Sequence, residues 1–74
     1  MYNNGDIVKA IISIDGHVKK DTIGILVDEN FNHGIKGVCW QNMIFPGHNC
    51  NGNCVDGRGW YTRLSGMICI KEAK

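Results

Sequence analysis

The 74-residue chain has a single proline, Pro46, and no apolar run of the length a membrane span requires, roughly 18 residues or more. It also has almost no net charge. Eight Lys and Arg stand against seven Asp and Glu, for a formal +1. The totals therefore show neither the basic excess of a DNA-binding face nor the acidic excess of a nucleic-acid mimic. No window carries a 3.6-residue apolar period framed by caps. Repeats, linkers and low-complexity tracts are missing too, so residues 1–74 read as one domain. The first ten residues, "MYNNGDIVKA", lack the basic start, apolar stretch and cleavage site of a secretory signal. That points to the cytoplasm, where thiols stay reduced. The four cysteines are accordingly expected as buried thiols or metal ligands before disulfides.

What is present is enough for a small globule. An apolar content of 43% argues against intrinsic disorder. A core of this size contributes no more than about 3–5 kcal/mol unless something staples it. The patterning is that of strands. In "DIVKAIISI", Val8, Ala10, Ile12 and Ile14 alternate onto one face, with Lys9 and Ser13 on the other. Asp15-Gly16 is a turn signal that ends the run. In "TIGILV", Ile23, Ile25 and Val27 are in phase, and Gly24 marks a bulge or a close crossing. "DENFNHG" is polar and turn-like. "IKGVCW" places Val38 and Trp40 on one face and Cys39 on the other. Short strands around "WYTR" and "GMICI" follow, and residues 71–74 read as a frayed or short helical tail. Five short strands in so short a chain predict a closed or nearly closed barrel, which removes sheet edges. The expected fold is all-β: a five-stranded SH3-like barrel with one long Gly/Asn/Cys-rich loop. An OB-fold is the alternative, but it usually needs a longer chain.

That loop, "GHNCNGNCVDGRGW" over residues 47–60, holds the candidate chemistry. His48, Cys50 and Cys54 are three soft ligands within seven residues, and Zn2+ favours such donors in tetrahedral sites. A fourth ligand would have to come from His33, Cys39 or Cys69. The expectation is a chain without cofactor, with Zn2+ on His48, Cys50 and Cys54 as the alternative. Cys39 and Cys69 lie in strand-like segments and read as core packing. A Cys50–Cys54 disulfide would close too short a loop to stabilise much. The glycines at 47, 52, 57 and 59 permit positive φ and close backbone approach, and successive N–H groups there can form an anion-binding nest. Arg58 adds a planar fork for phosphate or carboxylate, and Trp40, Trp60 and Tyr61 offer stacking faces. The candidate ligand-binding set is His48, Asn51, Arg58, Trp60 and Tyr61. Trp40 is assigned to the core, while Trp60 is divided between plugging the barrel and touching a ligand. No phosphate-loop or dinucleotide fingerprint is present. Catalysis is not expected: the acids are scattered, and a cysteine beside His48 is the sole nucleophile–base candidate.

Taken together, "GDIV", "GILV", "GVCW" and "GHNCNGNCVDGRGWYT" resemble a group of small SH3-like proteins common among bacteriophage and prophage genes. Their pattern G-H-x-[LC]-x-G-x-C-x-x-G-x-G-W falls here on Gly47, His48, Cys50, Gly52, Cys54, Gly57, Gly59 and Trp60. The resemblance spans most of the chain. It implies the SH3-like fold and a phage origin, and assigns no activity. With the small size, it leads to an expected function as a non-enzymatic binding module. Such a module would inhibit a host factor, an antiviral-defence protein among them, by protein–protein contact in the host cytoplasm. One alternative is sequestration of a nucleotide signal or another anionic small ligand by the loop. The other is a zinc-stapled structural or nucleic-acid-binding module. The expected partner is thus a host protein or a nucleotide-type ligand, with no membrane partner, and a homodimer would be one way to deepen the pocket.

Overall fold

The computed structural model describes residues 2–73. They form one antiparallel sheet of five strands, β1 (Ile7–Ala10), β2 (Ile23–Asp28), β3 (Ile35–Trp40), β4 (Gly59–Arg63) and β5 (Met67–Lys71), with a 3-10 turn, Leu64–Gly66, ahead of β5. The order across the sheet is β4-β3-β2-β1-β5. The chain meanders from β1 to β4 and then crosses back to lay β5 beside β1. The fold is therefore all-β with five strands, as the alternation predicts. The barrel does not close, because β4 and β5 lie at opposite edges of the sheet. Each edge is partly covered instead. His48 pairs with Gly59 on the outer side of β4, and the Tyr2 hydroxyl donates to the Met67 carbonyl of β5.

The core lies on one face of the sheet. Val8 and Ala10 of β1, Val38 and Trp40 of β3 and Met67 of β5 are buried together, with Ile14 and Val18 closing over them. Trp40 Nε1 donates to Thr62 Oγ1 at 3.3 Å, which satisfies an indole donor that burial would otherwise leave unpaired. Gly24 is the close crossing under this indole. A Cβ there would stand 2.7 Å from both Trp40 Cε3 and Val38 Cγ1. The irregularity in β2 falls further along, between Leu26 and Asp28.

β1 is shorter than its apolar alternation. It stops at Ala10, and Ile12, expected on the core face, is 52% exposed. The Ala10 carbonyl accepts from Asp21 N and the Ile11 N–H donates to the Gly66 carbonyl, so the chain turns away from β2 at this point. Ile14 regains the core through a separate small hairpin in which it pairs with Val18. The Asp15-Gly16 signal forms its tip, with both residues at positive φ, as a primed hairpin turn requires. The expected loose tail is also corrected. Ala73 N donates to Asp6 Oδ1 at 2.7 Å, tying the described end of this tail to Asp6, while Lys74 lies outside the described residues. Among the described residues, no helix is long and apolar enough to cross a membrane.

Candidate functional site

Between β3 and β4 the chain folds back over the sheet as a hydrogen-bonded knot. His48 and Gly59 exchange both backbone hydrogen bonds, at 2.9 and 2.7 Å, and Gly47 N donates to the Gly57 carbonyl. Cys50 and Asn51 then take left-handed φ of 50° and 58°, and Gly52 follows at 88°. Asn tolerates this region better than most residues, whereas Cys50 is held in it by its surroundings. Its N–H donates to His48 Nδ1 at 3.0 Å. The Asn49 carbonyl accepts from Gly52 and Cys54, and the Cys50 carbonyl from Asn53. Asn49 Nδ2 braces the far side on Asp56 at 3.0 Å. The N–H groups of Cys50, Gly52, Asn53 and Cys54 are thus used inside the turn.

Two glycines make this fold-back fit. Cys50 is fully buried, with its Sγ 2.8 Å from where a Cβ of Gly59 would lie and 3.2 Å from that of Gly37. Its thiol donates to the Val38 carbonyl at 3.9 Å. Burial, followed by the nearby Asp28 carboxylate, pushes the Cys50 pKa up to about 11. The thiol is protonated at neutral pH and is no nucleophile there.

Cys54 is bonded to Cys39 of β3, with a Cα–Cα distance of 5.6 Å, inside the usual range of disulfides. This overturns the assignment of Cys39 to simple packing and the expectation of fully reduced cysteines. The three alternative zinc ligands are engaged separately. Cys54 is taken up by Cys39, Cys50 Sγ points into the sheet, and His48 Nδ1 faces a backbone N–H. Among the described residues no group of three His, Cys, Asp or Glu is placed to hold a metal ion. Cys69 packs against the core as a free thiol, and burial first, then Asp6, raises its pKa.

Around this knot runs a row of stacked rings. His17 stacks on Trp60 at 3.9 Å between centroids, Trp60 on His48 at 5.3 Å, His48 on Tyr61 at 4.9 Å and Tyr61 on Phe31 at 4.0 Å. Phe45 adjoins His17 at 6.0 Å, tilted. Trp60 and Tyr61 are successive residues of β4 and point to opposite faces. His48, paired to the outer edge of that strand, touches both and carries the row around the edge. Carboxylates hold the polar tips. Trp60 Nε1 donates to Asp15 Oδ2 at 3.0 Å, and the Tyr61 hydroxyl donates to Asp28 Oδ2 at 3.2 Å while accepting from Asn51 Nδ2 at 2.9 Å. Burial, then Asp28, raises the Tyr61 pKa. His17 Nδ1 donates to the Phe45 carbonyl at 3.2 Å. The two ends of the row are open: Phe31 is 47% and Phe45 65% exposed.

Of the five residues expected to bind a ligand, His48, Asn51, Trp60 and Tyr61 come together in this row. Arg58 does not. It lies in a separate depression of ≈ 390 Å³ beside Gln41, Asn42, Pro46 and Asp56. Sequence reasoning missed His17, Phe31, Phe45 and the two carboxylates. Two signals pointed to rings outside the loop: Phe31 stands alone among polar residues in "DENFNHG", and His17 follows the Asp15-Gly16 turn. The chain matches no family model, no curated protein and no solved structure.

Proposed function

We propose that the chain is a non-enzymatic binding module that grips a partner protein along the ring row. The observation that carries this reading is a continuous series of stacked rings whose two ends, Phe31 and Phe45, are apolar and open to solvent. Trp60, His48 and Tyr61 each stack on two other rings, so much of their π surface is already used. A planar nucleobase has little left to stack on, whereas ring edges and exposed phenyl groups suit side chains of another protein. Ile44, 58% exposed beside Phe45, extends the apolar end. The resemblance to phage-type SH3-like proteins supplies the class of partner, a host protein that the module would inhibit by occupying its surface.

A second reading, capture of an anionic ligand, has one supporting observation in the Arg58 depression, where Asp56 works against it. Two variants separate the readings. Both phenyl groups are largely exposed, so the Phe31→Ala/Phe45→Ala chain should keep its stability to within about 1 kcal/mol. In affinity capture from bacterial lysate, a protein retained by the wild type should be lost by this variant and kept by Arg58→Ala. Hot-spot rings of this kind change affinity by about 30-fold or more. If retention survives the double variant, or if nucleotides raise the melting temperature in an Arg58-dependent way, the ring-row reading is wrong.

A further inference from the structure

We infer that the Cys39–Cys54 disulfide is a reducible latch on the ring row, opened by a thioredoxin-type dithiol and re-formed with a single pairing; the inference rests on the ring row being the working surface. The segment between the two half-cystines carries Phe45 and His48, while Trp60 and Tyr61 stay with β4. Opening the latch therefore removes the covalent tie between the two sets of rings and leaves them joined by hydrogen bonds and stacking alone. What then holds the segment is non-covalent: the His48–Gly59 backbone pair, Gly47 N to Gly57 O, Ile44 N to His17 O and Gln41 N to Ile23 O, the Phe45 carbonyl on His17 Nδ1, Asn51 Nδ2 on the Tyr61 hydroxyl and the buried Cys50.

The three sulfurs share one face of the sheet. Cys39 stands directly opposite Gly59 in the β3–β4 ladder, and Cys50 Sγ sits against the Cβ position of that glycine. Directly opposed Cβ positions are about 4.5–5.5 Å apart, which puts the Cys50 sulfur within roughly 8 Å of Cys39 Cβ. A neighbouring thiol would normally scramble such a bond, because exchange proceeds by thiolate attack. Cys50 is kept out of the exchange by three features. It is buried, its thiol is directed at the Val38 carbonyl, and its pKa is far above neutral. Cys54, in contrast, is half-buried between the exposed residues Asn53 and Val55, where a solvent thiolate can reach it.

The step balances without any other oxidant or reductant. A thiolate of the dithiol attacks Cys54 Sγ, the S–S bond breaks, and Cys39 Sγ leaves as a thiolate that takes a proton. The second thiol of the dithiol then displaces Cys54 from the mixed disulfide, and the dithiol ends as a disulfide. Two electrons and two protons pass to the protein pair. Closing is the same exchange in reverse, with the disulfide form of such a dithiol taking the two electrons and two protons from Cys39 and Cys54; a reducing compartment favours opening and an oxidising one closing.

The test uses the full chain with no partner, equilibrated in buffers of reduced and oxidised dithiothreitol, with peptide-mapped alkylation and amide hydrogen exchange as readouts. Reduction should expose Cys39 and Cys54 to alkylation. It should also speed exchange of the His48 and Gly59 amides by about tenfold or more beyond any rise at the Val8 and Leu26 amides, which follow global stability. Re-oxidation should restore only the Cys39–Cys54 pair, and Cys54→Ser should show the reduced exchange pattern without dithiol. If that variant does not fold, the reduction series decides alone. The inference is overturned if the untreated protein has free Cys39 and Cys54, if reduction leaves the loop amides unchanged or unfolds the whole sheet, or if re-oxidised chains contain a Cys50 disulfide. Because no partner is present, these outcomes are independent of whether the phenyl variants lose capture.

Discussion

Gly59 shows how one missing side chain decides the site. Its Cβ position is 2.8 Å from both Cys50 Sγ and the His48 carbonyl oxygen. The carbonyl cannot move without breaking the pair that ties the loop to β4. Gly59→Ala should therefore destabilise the protein by about 1–3 kcal/mol, as overpacking of a tight interior does, and should increase Cys50 alkylation as the loop lifts. Gly16 is a useful contrast. Nothing lies within 4 Å of its Cβ position, yet its φ is +73°. Gly16→Ala meets only the left-handed backbone penalty, about 1–2 kcal/mol, and should leave Cys50 protected. Urea midpoints and thiol labelling of the two variants measured side by side check both expectations. Equal labelling would mean that Gly59 does not seat the loop.

The 41–58 connection behaves as an element in its own right, although it has no regular secondary structure. Long connections of this kind are uncommon in small domains unless they are functional. This one is built from side-chain and backbone bonds that close within the turn, then fastened to β3 across a sequence separation of 15 residues. Closing a loop of that length stabilises by about 3 kcal/mol through the unfolded chain, which is large against the stability of so small a core. Reduction of the wild type should therefore lower the unfolding free energy by about that amount. In Cys54→Ser, reduction should change the urea midpoint hardly at all. A wild-type midpoint indifferent to reductant would show that the bond contributes little.

The molecule as a whole is an open sheet whose two chain ends are fastened together at Asp6. This carboxylate is fully buried and accepts from Ala73 N at 2.7 Å and Asn3 N at 2.9 Å. The Ala73 bond first, then the Asn3 bond, lowers its pKa below the ordinary carboxylate value. The folded pKa lies below the unfolded one, so the carboxylate stabilises the fold above the unfolded pKa, about 3.9. That stability is lost as pH falls through the folded pKa. Asp6→Asn keeps the shape and removes the charge. Urea midpoints taken from neutral pH down to about pH 3 should show wild type above the variant, with the gap narrowing below about pH 4. A gap that stays constant through the acid range would rule out Asp6 as the titrating fastener.

Local pattern was enough for the strands, the Asp15-Gly16 turn and the burial of Val38 and Trp40. Alternation with period two and a turn dipeptide act over only a few residues. The same rule failed at Ile12, because where a strand stops depends on which neighbour takes its backbone hydrogen bonds. The loop's glycines, His48 and Trp60 stood out in the sequence, but their use did not. Cys54 lies nearer in sequence to Cys50 than to Cys39, yet the fold-back over Gly37 and Gly59 buries the first sulfur and delivers Cys54 to β3. The row from Phe45 through His17, Trp60, His48 and Tyr61 to Phe31 joins residues from two turns, one loop and one strand. Their meeting depends on sheet order, and spacing along a chain carries no information about sheet order.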